Sequence, residues 1–473
     1  MGPSDRSRRP TVAALAVAAA CAAIAGPVAA ADLDTRLAAA LNHPGLRGAS
    51  VGAFVARADD GQVLFDRGGE TMLIPASNLK ILTGLAALSA FGPSHRFTTR
   101  LSTDAPPDAA GAVGALAVRA GGDPALTSEE WWRLAADLRD RGVRHVRGDL
   151  ILDDTYFDQQ RWNPAWDAVS TRAFHAPVGA LTANYGSFGV VVHPPAHPGA
   201  AAQIAIDPPI AFFDVVDRLK PGGGPLAITR EADGSRDRVI VSGAPPTGGD
   251  GEPIFRSVSD PVRYAAAVLR MQLAAVGIAV DGHDRIGPVP PGFVELLSFE
   301  GKPLAEIMRL MMKFSNNDIA EMLLKDVGAE QSGAPGSWPG GVAAVRERLV
   351  ALGIAPSGFA MVDGSGLSHS NRVTPRTLAT ALRIARASFA LGPEFVAALP
   401  IAGRDGTLGH RGVGAVDLIR AKTGLLDGAA ALSGLAQARD GTPLAFSIIV
   451  NGYTRGDADA RAGIDRFAAA LVE

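Results

Sequence analysis

Between Pro75 and Leu88 the chain reads Pro-Ala-Ser-Asn-Leu-Lys-Ile-Leu-Thr-Gly-Leu-Ala-Ala-Leu, an apolar stretch whose one charge is Lys80. Pro75 suits the first turn of a helix. The residues after Lys80 are apolar on every side, so the helix they form belongs inside a fold rather than on its surface. Lys80 is thereby carried into the interior, where loss of hydration disfavours its charged form. Ser77 stands three positions earlier, on the same helical face and within reach of the amine. A buried neutral amine beside a serine hydroxyl is a pairing that activates a nucleophile. Ser-x-x-Lys also arises by chance in long chains, so the reading depends on partners elsewhere.

A chain of 473 residues is expected to fold as two or three domains. Arg6, Arg8 and Arg9 precede an apolar run from about Thr11 to Ala25, and Val28-Ala-Ala-Ala31 offers small residues for cleavage. Residues 1–31 therefore read as a secretory signal, too short and alanine-rich for a membrane span. Ser7-Arg8-Arg9 leaves both Sec and twin-arginine export open. The single cysteine, Cys21, lies in this leader, so the exported chain is held by its core without a disulfide. Removing the leader takes the net charge from −3 to about −5, and no lysine- or arginine-rich run follows. Nucleic acid and anionic membrane are accordingly not expected partners. No later apolar run has membrane length, which fits a soluble or peripherally attached protein.

Leu33, Leu37 and Leu41 have the spacing of a short amphipathic helix, and 50–66 reads as a hairpin about Asp60-Gly61. From about 97 to 290 the texture changes to short strands, turns and glycine-proline loops, with helices over 128–141 and 261–276. A helical pattern from Lys302 to Lys325 is interrupted by Ser315-Asn-Asn-Asp318, residues that prefer turns and caps. Residues 331–341 read as a loop and 342–352 as a helix. Lys422-Thr423-Gly424 leads into a strand, 431–438 and 443–450 form a hairpin, and 458–472 closes the chain as a helix. Antiparallel strands with helices gathered at both ends of the chain give an α+β (mixed α/β) body.

Ser77-x-x-Lys80, Ser315-x-Asn317 and Lys422-Thr423-Gly424, in that order, resemble the serial signature of penicillin-binding proteins and serine β-lactamases. Ser77 and Ser315 stand 238 positions apart, far more than a compact β-lactamase needs. That spacing resembles the low-molecular-mass class C penicillin-binding proteins, the D-alanyl-D-alanine carboxypeptidase/endopeptidase family, whose extra domains sit between the first two motifs. Further likeness lies in Gly122-Asp-Pro124, Gly148-Asp-Leu150 followed by Asp153 and Phe157, Asp363-Gly-Ser-Gly-Leu-Ser368, and Gly403-Arg-Asp-Gly-Thr-Leu408.

The resemblance implies a transpeptidase-like catalytic body over 32–96 and 291–473. Large, mostly β insertions would fill 97–290, in two nested parts (about 97–175 with 255–290, and 176–254). It implies Ser77 as nucleophile, Lys80 as general base and Ser315 as proton relay. Asn317, Lys422, Thr423, Gly424 and Leu425 would bind substrate, with backbone N–H groups of Ser77 and Leu425 as the oxyanion hole. Leu425 departs from the family's usual Ser or Thr and gives up a hydroxyl contact to the substrate carboxylate. Asp167 lies near a family position that reads the second amino group of a diaminopimelate side chain. Peptidoglycan stem peptides are then the substrate, β-lactams covalent inhibitors, and the periplasm the site of action. No metal or other cofactor is implied: the nine histidines are scattered without ligand spacing. The rival readings are a β-lactamase and a non-catalytic peptidoglycan-binding protein retaining the fold.

Overall fold

The computed structural model describes residues 26–197, 200–249, 251–411 and 415–473. Most of the leader reading, residues 1–25 with Cys21, lies outside the described residues. From Gly26 the chain is helical to Ala40, so the helix expected at Asp32 begins earlier.

The Ser77 helix, Lys80–Phe91, rests on a frame that joins the two ends of the chain. A five-stranded sheet runs in the order Ile419–Leu426, Ala429–Gln437, Pro443–Asn451, Ser50–Arg57, Val63–Arg67, every neighbour antiparallel. Its middle strands are buried on both faces, which is why 431–438 and 443–450 are near-continuous apolar runs. The polar exceptions, Ser433 and Ser447, are cross-strand partners bonded to each other at 2.8 Å. Helices Gly26–Ala40 and Asp457–Val472 cover one face, with Leu37, Phe65, Phe446 and Phe467 in a common core. Helix Pro375–Ala387 covers the other, and Lys80–Phe91 packs on it and on Asn317–Ser332. Within that packing Gly84 faces three methionines; a Cβ there would lie 2.5 Å from Met308 Cε. The methionines fill core space around a bare backbone.

Strands Arg96–Thr103 and Val294–Pro303 carry the chain out of this frame and back, lying side by side and antiparallel. They edge a second five-stranded sheet with Leu116–Arg119, Leu150–Asp153 and Asp284–Ile286. Residues 294–303 are thus hydrogen-bonded into this second sheet, because the returning strand pairs with the departing one. Helices Ser128–Asp140 and Pro261–Ala275 pack together beside this sheet. The first opens on a Thr127–Glu130 capping box and the second on Asp260, whose carboxylate accepts from the N–H of Val262 and of Arg263. Residues 187–257 supply two further three-stranded sheets.

Two helix boundaries differ from expectation for visible reasons. The pattern beginning at Lys302 resolves into Leu304–Phe314 and Asn317–Ser332, with Ser315 between them at φ +57°. The helix expected at Val342 begins at Trp338, capped by Ser337 Oγ, which accepts from Gly340 N at 3.2 Å. Gly340-Gly341 look like loop residues, yet a Cβ on Gly341 would fall 2.3 Å from the Leu324 carbonyl. The glycine serves close helix packing, not a turn.

Candidate active site

Pro75 does not open an α-helix directly. Ala76–Leu79 makes a 3₁₀ turn with Ala76 at φ +46°, and the α-helix begins at Lys80. A non-glycine residue at positive φ costs roughly 1 kcal/mol or more, so the surroundings have to impose it. The turn leaves Ser77 half-buried and Lys80 fully buried. Lys80 Nζ donates to Ser77 Oγ at 3.0 Å, to Asn317 Oδ1 at 2.7 Å and to the Ser365 carbonyl at 2.8 Å. Burial lowers its pKa to about 7, against the opposing pull of Glu321 and Asp363. Once the amine is neutral, its lone pair can accept the Ser77 hydroxyl along the same contact.

The middle motif sits where two helices meet. Ser315 closes the first in a left-handed conformation, and Asn316 caps the second by accepting from Ile319 N at 3.1 Å. Capping by the central residue leaves the side chains on either side free for other partners. Ser315 Oγ accepts from Lys422 Nζ at 2.8 Å. Asn317 accepts from Lys80 and donates through Nδ2 to the Phe174 carbonyl at 2.9 Å. The resemblance put Ser315 in exchange with Lys80; here its hydrogen bond is to Lys422.

Lys422 lies on Ile419–Leu426, the edge strand of the first sheet. It is fully buried, also donates to the Thr423 carbonyl at 2.7 Å, and has its pKa driven well down by burial and by Lys80. Along the strand's outer edge Ala421 N donates to the Pro400 carbonyl, and the Ile419 carbonyl accepts from Ala402 N. The two-residue alternation points the backbone groups of Thr423 and Leu425 the same way. Gly424 lies directly on the nucleophile turn: a Cβ there would be 2.7 Å from Asn78 Nδ2 and 2.8 Å from the Pro75 carbonyl. Thr423 Oγ1 bonds Thr407 Oγ1 at 2.8 Å, drawing in the Gly406–Leu408 turn.

Three stretches far apart in the chain thus deliver a serine, two buried lysines, a second serine and an asparagine to one place. A family model described as D-Ala-D-Ala carboxypeptidase 3 (S13) matches residues 33–471. The chain belongs to that family.

Among S13 relatives, a D-alanyl-D-alanine carboxypeptidase of Actinomadura sp. (strain R39) is 35% identical over 443 residues, 89% of this chain and 81% of the relative. The crystal structure of penicillin-binding protein 4 (dacB) from Haemophilus influenzae superposes with a TM-score of 0.78 at 28% identity, covering 93% of this chain and 98% of that one. A structure of the same protein complexed with a β-lactam gives a TM-score of 0.74 over the same shares.

Two residues stand apart from the S13 cluster. Leu425 is 44% exposed, and its side chain offers no hydroxyl. Asp167, with a side chain 58% exposed, bonds His369 Nδ1, and His369 Nε2 contacts the Asp427 carbonyl at 2.9 Å, just past the edge strand. The bond to His369 lowers the Asp167 pKa. Partial burial pulls His369 down, but the Asp427 carbonyl and Asp167 carboxylate outweigh it, so His369 sits above its usual value. Sequence reasoning missed His369, Thr407 and Glu321. Glu321 carried one local signal, standing four residues beyond Asn317 and so on the same helical face. Among the described residues no group of three or more His, Cys, Asp or Glu is placed to hold a metal.

Proposed function

We propose that this S13 chain is a serine D-Ala-D-Ala carboxypeptidase acting through an acyl-enzyme on Ser77. The observation that carries the reading is the Lys80 amine, fully buried, hydrogen-bonded to three partners and 3.0 Å from Ser77 Oγ. Neutral Lys80 takes the Ser77 proton as Oγ attacks the carbonyl between two D-alanines. The oxyanion is received by the N–H groups of Ser77 and Leu425, the latter supported by its outward parity on the edge strand; each such donor contributes roughly 3 kcal/mol. Ser315, its hydroxyl bonded to Lys422, passes its proton to the leaving amine as the C–N bond breaks. The proton that Lys80 took from Ser77 restores the Ser315 hydroxyl, which leaves Lys80 neutral for the attack of water on the acyl-enzyme. Water then releases the shortened stem peptide and frees Ser77.

Lys422, Thr423 and Gly424 border the place for the terminal carboxylate, whose charge restores the ammonium form of Lys422. Asn317 aligns the substrate backbone. Asp167 offers a carboxylate to the cationic amine of a diaminopimelate side chain. The same acyl-enzyme chemistry accepts the D-Ala–diaminopimelate crosslink as a second, endopeptidase substrate, and β-lactams acylate Ser77 as substrate mimics. The proposed setting is the periplasm. The support for it is the S13 family match over residues 33–471 together with the leader reading of residues 1–31; no helix among the described residues is long and apolar enough to cross a membrane. The proposed architecture is a transpeptidase body interrupted by an insertion with nested parts, the chain returning to the body after Pro303.

Intact mass after incubation with benzylpenicillin tests the reading, with Ser77→Ala alongside. A lasting adduct on the wild type and none on the variant is expected, together with D-alanine release from a stem pentapeptide. Full labelling of Ser77→Ala would sink the assignment. Rapid drug loss without an adduct would favour a β-lactamase, and neither event a binding protein.

A further inference from the structure

The segment Asp363-Gly-Ser-Gly-Leu-Ser368 is prominent in the sequence, and beyond the Ser365 carbonyl that meets Lys80 it has no place in the chemistry above. It is almost wholly buried, and its backbone is wedged between two helices and the nucleophile turn. A Cβ on Gly364 would lie 2.4 Å from the Ala320 carbonyl, and one on Gly366 1.9 Å from that of Ala76. Thr83 Oγ1 donates to the Gly364 carbonyl at 2.7 Å. At the centre of the wedge, Ser365 offers its carbonyl to Lys80 Nζ at 2.8 Å and its N–H to Glu321 Oε1 at 2.9 Å. One residue's backbone therefore links the amine to a carboxylate.

Glu321 is fully buried and takes two more donors on Oε2, Gly364 N at 3.0 Å and Trp338 Nε1 at 2.8 Å. Three N–H donors thus converge on one buried carboxylate. Asp363 is engaged elsewhere, accepting from Gly366 N, Ser368 N, Asn371 Nδ2 and Trp166 Nε1. Burial, then the charge of Glu321, push Asp363 up to about 7. The charged groups facing Lys80 are thus Glu321, Asp363 and, from the edge strand, Lys422. Glu321 in turn faces Asp363 and, on its own helix, Asp318 and Lys325. Asp318 is pushed up to about 7 by burial and by Glu321, and Lys325 is paired with Asp158 at 2.7 Å.

We infer that Glu321 is a positioning residue for Lys80: it fixes the Ser365 carbonyl against the amine and supplies the buried counter-charge of the ammonium form. This rests on the reading of Lys80 as base. The test is the rate of acylation by benzylpenicillin between pH 5 and 9, followed by intact mass, with melting temperatures, for wild type, Glu321→Gln and Glu321→Asp. Loss of the counter-charge lowers the pKa of Lys80, so in Glu321→Gln the acid limb moves down by about one pH unit. The plateau falls about tenfold, because the Ser365 carbonyl is no longer held. Glu321→Asp keeps the charge on a shorter arm, and its limb stays in place while its plateau falls. A role in packing alone would lower the Gln plateau without moving the limb, and an unmoved limb in folded Glu321→Gln overturns the inference. Should that variant not fold, Glu321→Asp decides: a lowered plateau supports the inference, and a wild-type plateau overturns it. A wild type that no penicillin acylates at any pH is a separate result, against the function and not against Glu321.

Discussion

Lys80 concentrates the physics of the site in one side chain. Taking an ammonium out of water costs several kcal/mol in a real protein, so a fully buried lysine titrates low or finds fixed partners. Lys80 does both, with its pKa brought to about 7. Only the neutral form can take the Ser77 proton. Acylation by benzylpenicillin is therefore expected to rise roughly tenfold per pH unit up to about 7 and to level above it. Lys80→Arg keeps the charge at every accessible pH. Its acylation is expected to fall at least about a thousandfold with no plateau, and a wild-type profile in that variant would remove Lys80 from the mechanism. Leu425 is the contrasting case. Its backbone keeps the parity of the edge strand, so in the proposed mechanism what its side chain forgoes is selectivity for a carboxylate rather than the oxyanion contact.

At the scale of elements, the site exists because an edge strand lies against a 3₁₀ turn. Edge strands carry unpaired N–H groups, a liability that in the proposed mechanism becomes a binding surface. The approach is close enough to require a bare backbone at Gly424. Gly424→Ala drives a methyl group into Asn78 and the Pro75 carbonyl, forcing strand and turn apart without changing the identity of Ser77, Lys80, Ser315 or Lys422. Its acylation rate is expected to fall at least about tenfold, since misplacement by an ångström is enough to do so. Melting temperature should fall little by comparison. An Ala variant acylated at the wild-type rate would show that the strand does not set the geometry. The same close-approach logic explains Gly341, Gly364 and Gly366, which sequence reading takes for loop residues.

At the scale of the molecule, the Gly122-Asp-Pro124 turn and the Asn317 helix meet through buried acids. Asp123, from the Gly122-Asp-Pro124 turn, and Asp326, on the Asn317 helix, are both fully buried. Gly122 brings its backbone so near that a Cβ would lie 2.1 Å from Asp326 Oδ1. Burial raises Asp123 to about 7, and burial with the neighbouring Asp123 raises Asp326 well above its ordinary 3.8. Folded values above unfolded ones mean stability that is complete below about pH 3.8 and is lost as pH rises through the folded values. Each such group costs about 1.4 kcal/mol per pH unit across that window. Melting temperature should therefore fall between pH 5 and pH 8. Asp326→Asn, which cannot ionise, should gain on the wild type steadily across that range. A gain independent of pH would show that Asp326 does not titrate with folding.

The sequence by itself determined the three motifs and their order, the burial of Lys80, the α+β character of the body and most helices and strands. All of these follow from local chemistry or from periodicities of two and three to four residues. Only the tertiary structure decided which groups share a hydrogen bond: Lys80 with Asn317 and Ser365, and Ser315 with Lys422. It also decided that Glu321, an unremarkable acid in a helical pattern, would lie buried behind Lys80, and that Val294–Pro303 would pair with Arg96–Thr103. The reason is physical. A charge withdrawn from water is stabilised by whatever lies within a few ångströms of it. For Lys80 one of those partners is a carbonyl 285 residues further along the chain, a contact that no local pattern encodes.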